Sequence, residues 1–184
     1  MPSTDKKNNT PEALPTSSGD LLTFFDRNDI PYELYEHKPV FTVEESQALK
    51  QTIPGTDCRN LFLRDKKKQM YLVVAANETQ LDLKKLESLI ESKRLSFGSE
   101  ERLWQYLGVR PGSVCPFSII NDRGSEVSLI LDQHMMQSPL VNFHPMENHM
   151  SISLTPDDLI KFIDLCDHPY QIIDLSPAAP DNKA

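Results

Sequence analysis

Two runs rich in large apolar residues, Asn60 to Arg64 and Gln69 to Ala76, flank the short charged stretch Asp65–Lys68. Runs spaced this way predict a β-hairpin with a lysine-rich turn. Successive strand residues face opposite sides of a sheet, and here the apolar residues fall on both sides. At least part of the sheet must then be covered on both faces. That requirement constrains the fold more than any other feature of the chain.

Helical covers are available. Asp20 to Asn28 is amphipathic through Leu21, Leu22, Phe24 and Phe25. Thr42-Val43-Glu44-Glu45 has the form of a capping box opening a helix to about Lys50. Leu83 to Ser92 reads as a helix, and another starts at the cap Ser99 and ends near Gly108. Thr155-Pro156-Asp157-Asp158 opens a last one, to about Cys166: a hydroxyl cap, a proline in the first turn and two acids at the positive end of the dipole. Phe117–Asn121 and Glu126–Leu131, joined by Asp122-Arg123-Gly124-Ser125, predict a second hairpin. Shorter strands are expected at Tyr32–Tyr35, Val141–Phe143, Ser151–Leu154 and Gln171–Leu175. Hairpins mixed with helices, without regular βαβ alternation, imply an α+β fold with a mixed, largely antiparallel sheet and flanking helices.

The chain of 184 residues suffices for one such domain. From Met1 to Gly19 it has one leucine and no aromatic residue, too little apolar surface to offset the entropy of ordering. Residues 1–19 are expected to be a disordered tail, 20–175 the domain and 176–184 a second flexible tail. No apolar run resembles a signal peptide or is long enough to cross a bilayer, so a soluble, cytoplasmic protein is expected, without a membrane partner.

Three cysteines at wide spacing, Cys58, Cys115 and Cys166, suggest neither a disulfide framework nor a zinc site. His134, His144 and His149 match no ligand spacing, so no metal is expected. A net charge of −8 argues against nucleic-acid binding over the whole surface. A local exception stands between Cys58 and Lys68, where Arg59, Arg64, Lys66, Lys67 and Lys68 face Asp65 alone.

Four features could carry chemistry. Cys115 with His144 forms a nucleophile–base pair on paper, although a small buried cysteine between Val114 and Pro116 is equally ordinary. Gly112-Ser113-Val114-Cys115-Pro116 could aim backbone amides at a developing oxyanion, or be a plain turn. Arg59-Asn60 could hold a phosphate and orient an ester or ribose hydroxyl, or be a solvated strand end. His144, at the end of a strand, is a site residue or a surface one.

Several segments in order, CRNLFLRDKKKQMYLVV, RLSFGSEERL, LGVRPGSVCPFSIIND, VSLILD, NFHPMEN and QIIDL, make Leu21–Leu175 resemble a known family. It is the YbaK/aminoacyl-tRNA-synthetase-associated group, and within it the free-standing prolyl-tRNA editing proteins, or alanyl-tRNA(Pro) deacylases. The resemblance implies a barrel-like mixed sheet and hydrolysis, in trans and without metal or cofactor, of the ester in mischarged alanyl-tRNA(Pro). Small apolar side chains are poorly discriminated on first binding, which gives such editing its purpose. The resemblance puts Gly112 at the reacting centre and Ser113, Val114, Cys115 and Pro116 around the acyl pocket. Its lysine–asparagine pair falls on Arg59 and Asn60, its histidine on His144 and a wall residue on Thr42.

Arginine in place of lysine keeps the charge but not the compact ammonium. The expected reaction is water attack on the ester: Arg59 holds the terminal phosphate with help from Arg64, Lys66, Lys67 and Lys68. Asn60 and His144 orient the adenosine end or the water. The implied partner is the aminoacyl-tRNA acceptor end, with prolyl-tRNA synthetase or an elongation factor alongside. A non-catalytic tRNA- or synthetase-binding relative, and an editor of seryl- or cysteinyl-tRNA, are the competing readings.

Overall fold

The structure, a computed structural model, describes residues 12–40, 42–50 and 52–176. Its eight strands are β1 (Glu33–Glu36), β2 (Thr56–Arg64), β3 (Met70–Ala76), β4 (Ser96–Phe97), β5 (Val127–Asp132), β6 (Val141–Phe143), β7 (Met150–Leu154) and β8 (Tyr170–Ile173). They form one open sheet in the order β1-β7-β6-β2-β3-β5-β8, with β4 added beside β2. Pairs β1·β7, β6·β7, β2·β3 and β2·β4 are antiparallel, while β2·β6, β3·β5 and β5·β8 are parallel.

The hairpin read from the two apolar runs and their charged turn is β2·β3, in register from Cys58↔Ala76 to Arg64↔Met70. Every residue of β3 is buried, because both faces of the sheet are covered. On one face Phe62, Leu72 and Val74 pack on helices α1 (Ser18–Arg27), α4 (Glu100–Leu107) and α6 (Pro156–Leu165). Phe25, Phe117 and Phe162 meet edge to face there, with ring centroids 5.3–5.6 Å apart. On the other face Leu63, Tyr71, Val73 and Ile130 pack beneath Leu86 of α3 (Leu83–Leu89).

The predicted second hairpin does not exist. Pro116–Asn121 is a short 3₁₀ helix instead. Proline fixes its first turn, and the Ser118 hydroxyl donates to the Cys115 carbonyl at 2.6 Å. Asp122 then receives the Glu126 and Val127 amides at 3.0 and 2.8 Å, and β5 runs parallel to β3. Strand β4 and the one-turn helix α5 (Gln133–Met136) were not anticipated either.

The packed domain begins before Asp20. Ser17 caps α1 in a reciprocal capping box with Asp20, and the Ser18 hydroxyl, buried, donates to the Pro145 carbonyl and lies 2.6 Å from Glu147 Oε2. Thr16 Oγ1 donates to Asn121 Oδ1 at 2.7 Å, and Arg110 Nη2 to the Glu12 carbonyl at 2.9 Å. The rest of the expected tails, residues 1–11 and 177–184, lies outside the described residues. Among those described, no helix is long and apolar enough to cross a membrane, and no group of three or more His, Cys, Asp or Glu is placed to hold a metal ion.

Candidate active site

Parallel pairing of β2 with β6 is confined to Thr56↔Val141 and Asp57↔Asn142. Beyond it the strands diverge, and a cleft of about 180 Å³ opens at their ends. Helix α2 (Val43–Lys50) and its flanks contribute an apolar wall of Val40, Leu49 and Ile53, completed by Phe143. The opposite lining is polar: Asp57 and Asn60 from β2, Asn77 just after β3, Asn142 from β6, His144, and Ser151 from β7.

His144 is fixed by its own hairpin. Its Nδ1 lies 2.7 Å from the Met150 carbonyl, so this nitrogen carries the proton and donates it. Nε2 is left as the lone-pair nitrogen and has no hydrogen-bond partner among the described residues. Burial lowers the pKa of His144 below its ordinary 6.5, the Met150 bond opposes this, and the nearby His37 lowers it further. A neutral imidazole with a free Nε2 can accept a proton.

Asn60 supplies the complementary oddity. Its Oδ1 is buried and has no hydrogen-bond partner among the described residues. An orphaned buried acceptor costs about 1–3 kcal/mol, and a ligand donor in the cleft would remove that cost. Asn142 is satisfied by contrast: its Oδ1 accepts from Ser153 Oγ at 2.5 Å and its Nδ2 lies 3.4 Å from Asp57 Oδ1.

Residues 37–162 match the family described as the aminoacyl-tRNA editing domain. The chain belongs to this family. It is 38% identical over 156 residues to a prolyl-tRNA editing protein of Acetoanaerobium sticklandii, covering 84% of this chain and 95% of that one. It is 32% identical to the zebrafish (Danio rerio) prolyl-tRNA synthetase associated domain-containing protein 1, over 84% of this chain and 85% of that protein. The fold is also that of a candidate trans-editing enzyme for prolyl-tRNA synthetase, with a TM-score of 0.65 at 17% identity, over 89% of this chain and 99% of that one.

Within this editing domain the residues singled out from sequence do not all come together. Asn60 and His144 meet in the cleft. Arg59 does not join them: strand residues alternate, so Arg59 shares the face of Leu61 and Leu63 and its Nη2 donates to the Thr79 carbonyl. Arg59 therefore does not line the cleft beside Asn60, where the phosphate grip was expected. Arg64 and Lys66–Lys68 stand at the far end of the hairpin, and six strand residues from Asn60 to Lys66 span roughly 20 Å.

Gly112 has φ +83 and open space where a side chain would be. Its loop does not line the cleft either. Ser113 and Cys115 are buried, Val114 packs against the main core and Pro116 opens the 3₁₀ helix. Cys115 Sγ touches Met146 Sδ at 3.8 Å, so the loop lies against the turn that follows His144. Cys115 is wholly buried and does not line the cleft with His144, and burial raises its thiol to about 11, so the two are not placed as a nucleophile–base pair. Thr42 is exposed and caps α2 with Glu45, the Glu45 amide donating to its hydroxyl at 3.1 Å.

The sequence reading passed over Asp57, Asn77, Asn142, Ser151 and His37. For Asn142 and Ser151 the signal was a polar residue inside a short apolar strand, each only 6% exposed. Buried polar groups in such places need a partner or a ligand.

Proposed function

We propose that this chain is a trans-acting deacylase that hydrolyses the ester of mischarged alanyl-tRNA(Pro). The observation that carries the reading is the meeting of Asn60, with its orphaned Oδ1, and His144, with its free Nε2, in one small cleft. The relatives' names support the substrate class: one is a prolyl-tRNA editing protein. The apolar wall of Val40, Leu49, Ile53 and Phe143 suits a methyl side chain, and a small pocket excludes proline by overlap.

The aminoacyl ester is already activated, so positioning and electrostatics suffice. A water held between His144 Nε2 and the ester carbonyl attacks the carbonyl carbon, and His144 takes its proton. The bond from that carbon to the ribose oxygen then breaks. The ribose oxygen leaves as a hydroxyl by recovering the proton, and free alanine departs. Asn60 orients the adenosine end through Oδ1, as acceptor for a ribose hydroxyl. The Gly112–Pro116 loop acts from behind, by supporting the turn that carries His144. Prolyl-tRNA synthetase or an elongation factor would deliver the charged tRNA.

The test is deacylation of alanyl-, prolyl-, seryl- and cysteinyl-tRNA by the purified chain. Rapid loss of alanine from tRNA(Pro) with prolyl-tRNA(Pro) spared is the expected result. Preference for the seryl or cysteinyl ester reassigns the substrate. Tight tRNA binding with no turnover of any ester rejects the enzyme.

A further inference from the structure

The cations of the hairpin turn do not stand alone. The Lys66 amide donates to the Lys93 carbonyl at 3.2 Å, which brings Lys93 and Arg94 beside Lys66, Lys67 and Lys68. All five are exposed, and among the described residues none takes part in a salt bridge. The acid within the turn is withdrawn: Asp65 is 6% exposed, receiving the Gln69 amide at 2.9 Å and facing the Tyr71 hydroxyl at 3.4 Å. On a chain of net charge −8 this is a local reversal of sign.

An aromatic ring stands next to it. Phe97 of β4 is 69% exposed, the highest value among the large apolar residues described. Its backbone is held, Leu63 pairing with Phe97 and the Gly98 amide donating to the Phe62 carbonyl at 2.9 Å. Exposed cations at the hairpin turn and an exposed ring on the strand paired beside it suit a nucleic acid: phosphates meet the cationic groups and an unpaired base stacks on the ring.

We propose that Lys66, Lys67, Lys68, Lys93 and Arg94, with Phe97, form a second RNA-binding surface that grips the body of the tRNA whose acceptor end enters the cleft. The inference rests on the deacylase reading for its choice of RNA. Cleft and patch occupy opposite ends of β2, roughly 20 Å apart by strand rise. A polyanion with its terminus at Asn60 therefore meets the patch with a part of its length remote from the ester. The patch supplies affinity and leaves the chemical step alone.

Two variants of the full chain test this: the triple change Lys66→Gln, Lys67→Gln, Lys68→Gln, and the exposed Phe97→Ala. Each is assayed on full-length alanyl-tRNA(Pro) and on an alanyl-minihelix holding the acceptor arm alone. The triple variant should raise KM for the full tRNA about tenfold or more, with kcat unchanged, and flatten its salt dependence by about three phosphate contacts. Phe97→Ala should weaken binding of the full tRNA roughly tenfold. KM for the minihelix should hardly move in either. Equal effects on both substrates, or on neither, overturn the proposal.

If the parent deacylates neither substrate, the deacylase reading fails by itself. The patch is then judged by filter binding of uncharged tRNA, where loss of affinity in the triple variant supports it and parental affinity overturns it. Displacement of that tRNA by polyglutamate of equal charge would assign the patch to an acidic protein and overturn the RNA reading.

Discussion

His37 Nε2 lies 2.9 Å from the hydroxyl of Ser151, and that hydroxyl is 3.5 Å from His144 Nδ1. The two imidazole rings are 5.9 Å apart, so a charge on His37 is felt at His144. His37 Nδ1 is itself 2.8 Å from the Lys38 carbonyl, which holds the ring in place. A residue just after β1 is thereby coupled to the cleft through one serine of β7.

If His144 accepts the proton of the attacking water, only its neutral form works. Burial and the neighbouring His37 lower its pKa from 6.5, so the neutral form persists on the acid side of that value. The deacylation rate should stay level as pH falls towards 6.5 and drop only below it. His37→Asn removes a neighbour that lowers the His144 pKa, so that pKa should rise and the acid limb move to higher pH. His144→Ala should cost about a hundredfold at neutral pH. A pH–rate profile for His37→Asn that superimposes on the parent's would disprove the coupling.

Asn60 carries opposite signatures in stability and rate. Asn60→Ala removes a buried acceptor that has no partner, so thermal unfolding should be unchanged or shifted up by an amount worth about 1 kcal/mol. Deacylation should fall about a hundredfold, as when one orienting group is deleted from a preorganised site. Parallel loss of melting temperature and rate would make Asn60 a structural residue.

The parts of this fold that were legible in sequence are those encoded locally. The β2·β3 hairpin shows in its two apolar runs around a charged turn, and α4 and α6 show in the caps Ser99 and Thr155, whose hydroxyls receive the Arg102 and Asp158 amides. Pro116–Asn121 misled because Phe117, Ile119 and Ile120 are as apolar as a strand, while its helical turn depends on Pro116 and on the Ser118 hydroxyl. The cleft was not legible, since Asp57 and Asn142 are 85 residues apart and only the parallel β2·β6 pairing joins them. Resemblance located Asn60 and His144; the side-chain direction of Arg59 needed the register of β2.

Arg59 should act on stability. Its Nη2 donates to the Thr79 carbonyl, and Thr79 in turn donates to the buried carboxylate of Asp132. Arg59→Ala should lower unfolding free energy by about 1–2 kcal/mol with KM close to the parent value. A large rise in KM at unchanged melting temperature would return Arg59 to the phosphate.

All three thiols should be inert in the folded chain. Burial pushes Cys58 up to about 12 and Cys115 and Cys166 to about 11, and the thiolate is the reactive form. Iodoacetamide at neutral pH should modify the native protein slowly, and Cys115→Ala should retain the parent deacylation rate. Loss of rate in a Cys115→Ala protein that melts normally would revive a thiol mechanism.

Acid should unfold the protein through Asp122. Burial raises its carboxyl, but the His168 bond and the Val127 and Glu126 amides outweigh this and hold its pKa below 3.8. The carboxylate ties the end of the 3₁₀ helix to β5 and, across 3.1 Å, to His168 in the turn before β8. Because the folded value is depressed, this stabilisation is complete above the unfolded value and is lost as pH falls through the folded one. Asp122→Asn should cost about 2 kcal/mol at neutral pH, since it removes the ionised acceptor shared by two backbone amides and His168. The gap between parent and variant should close as pH falls below 3.8. Urea unfolding at a series of pH values reads this directly, and a gap that stays constant into acid would show that Asp122 contributes through packing rather than charge.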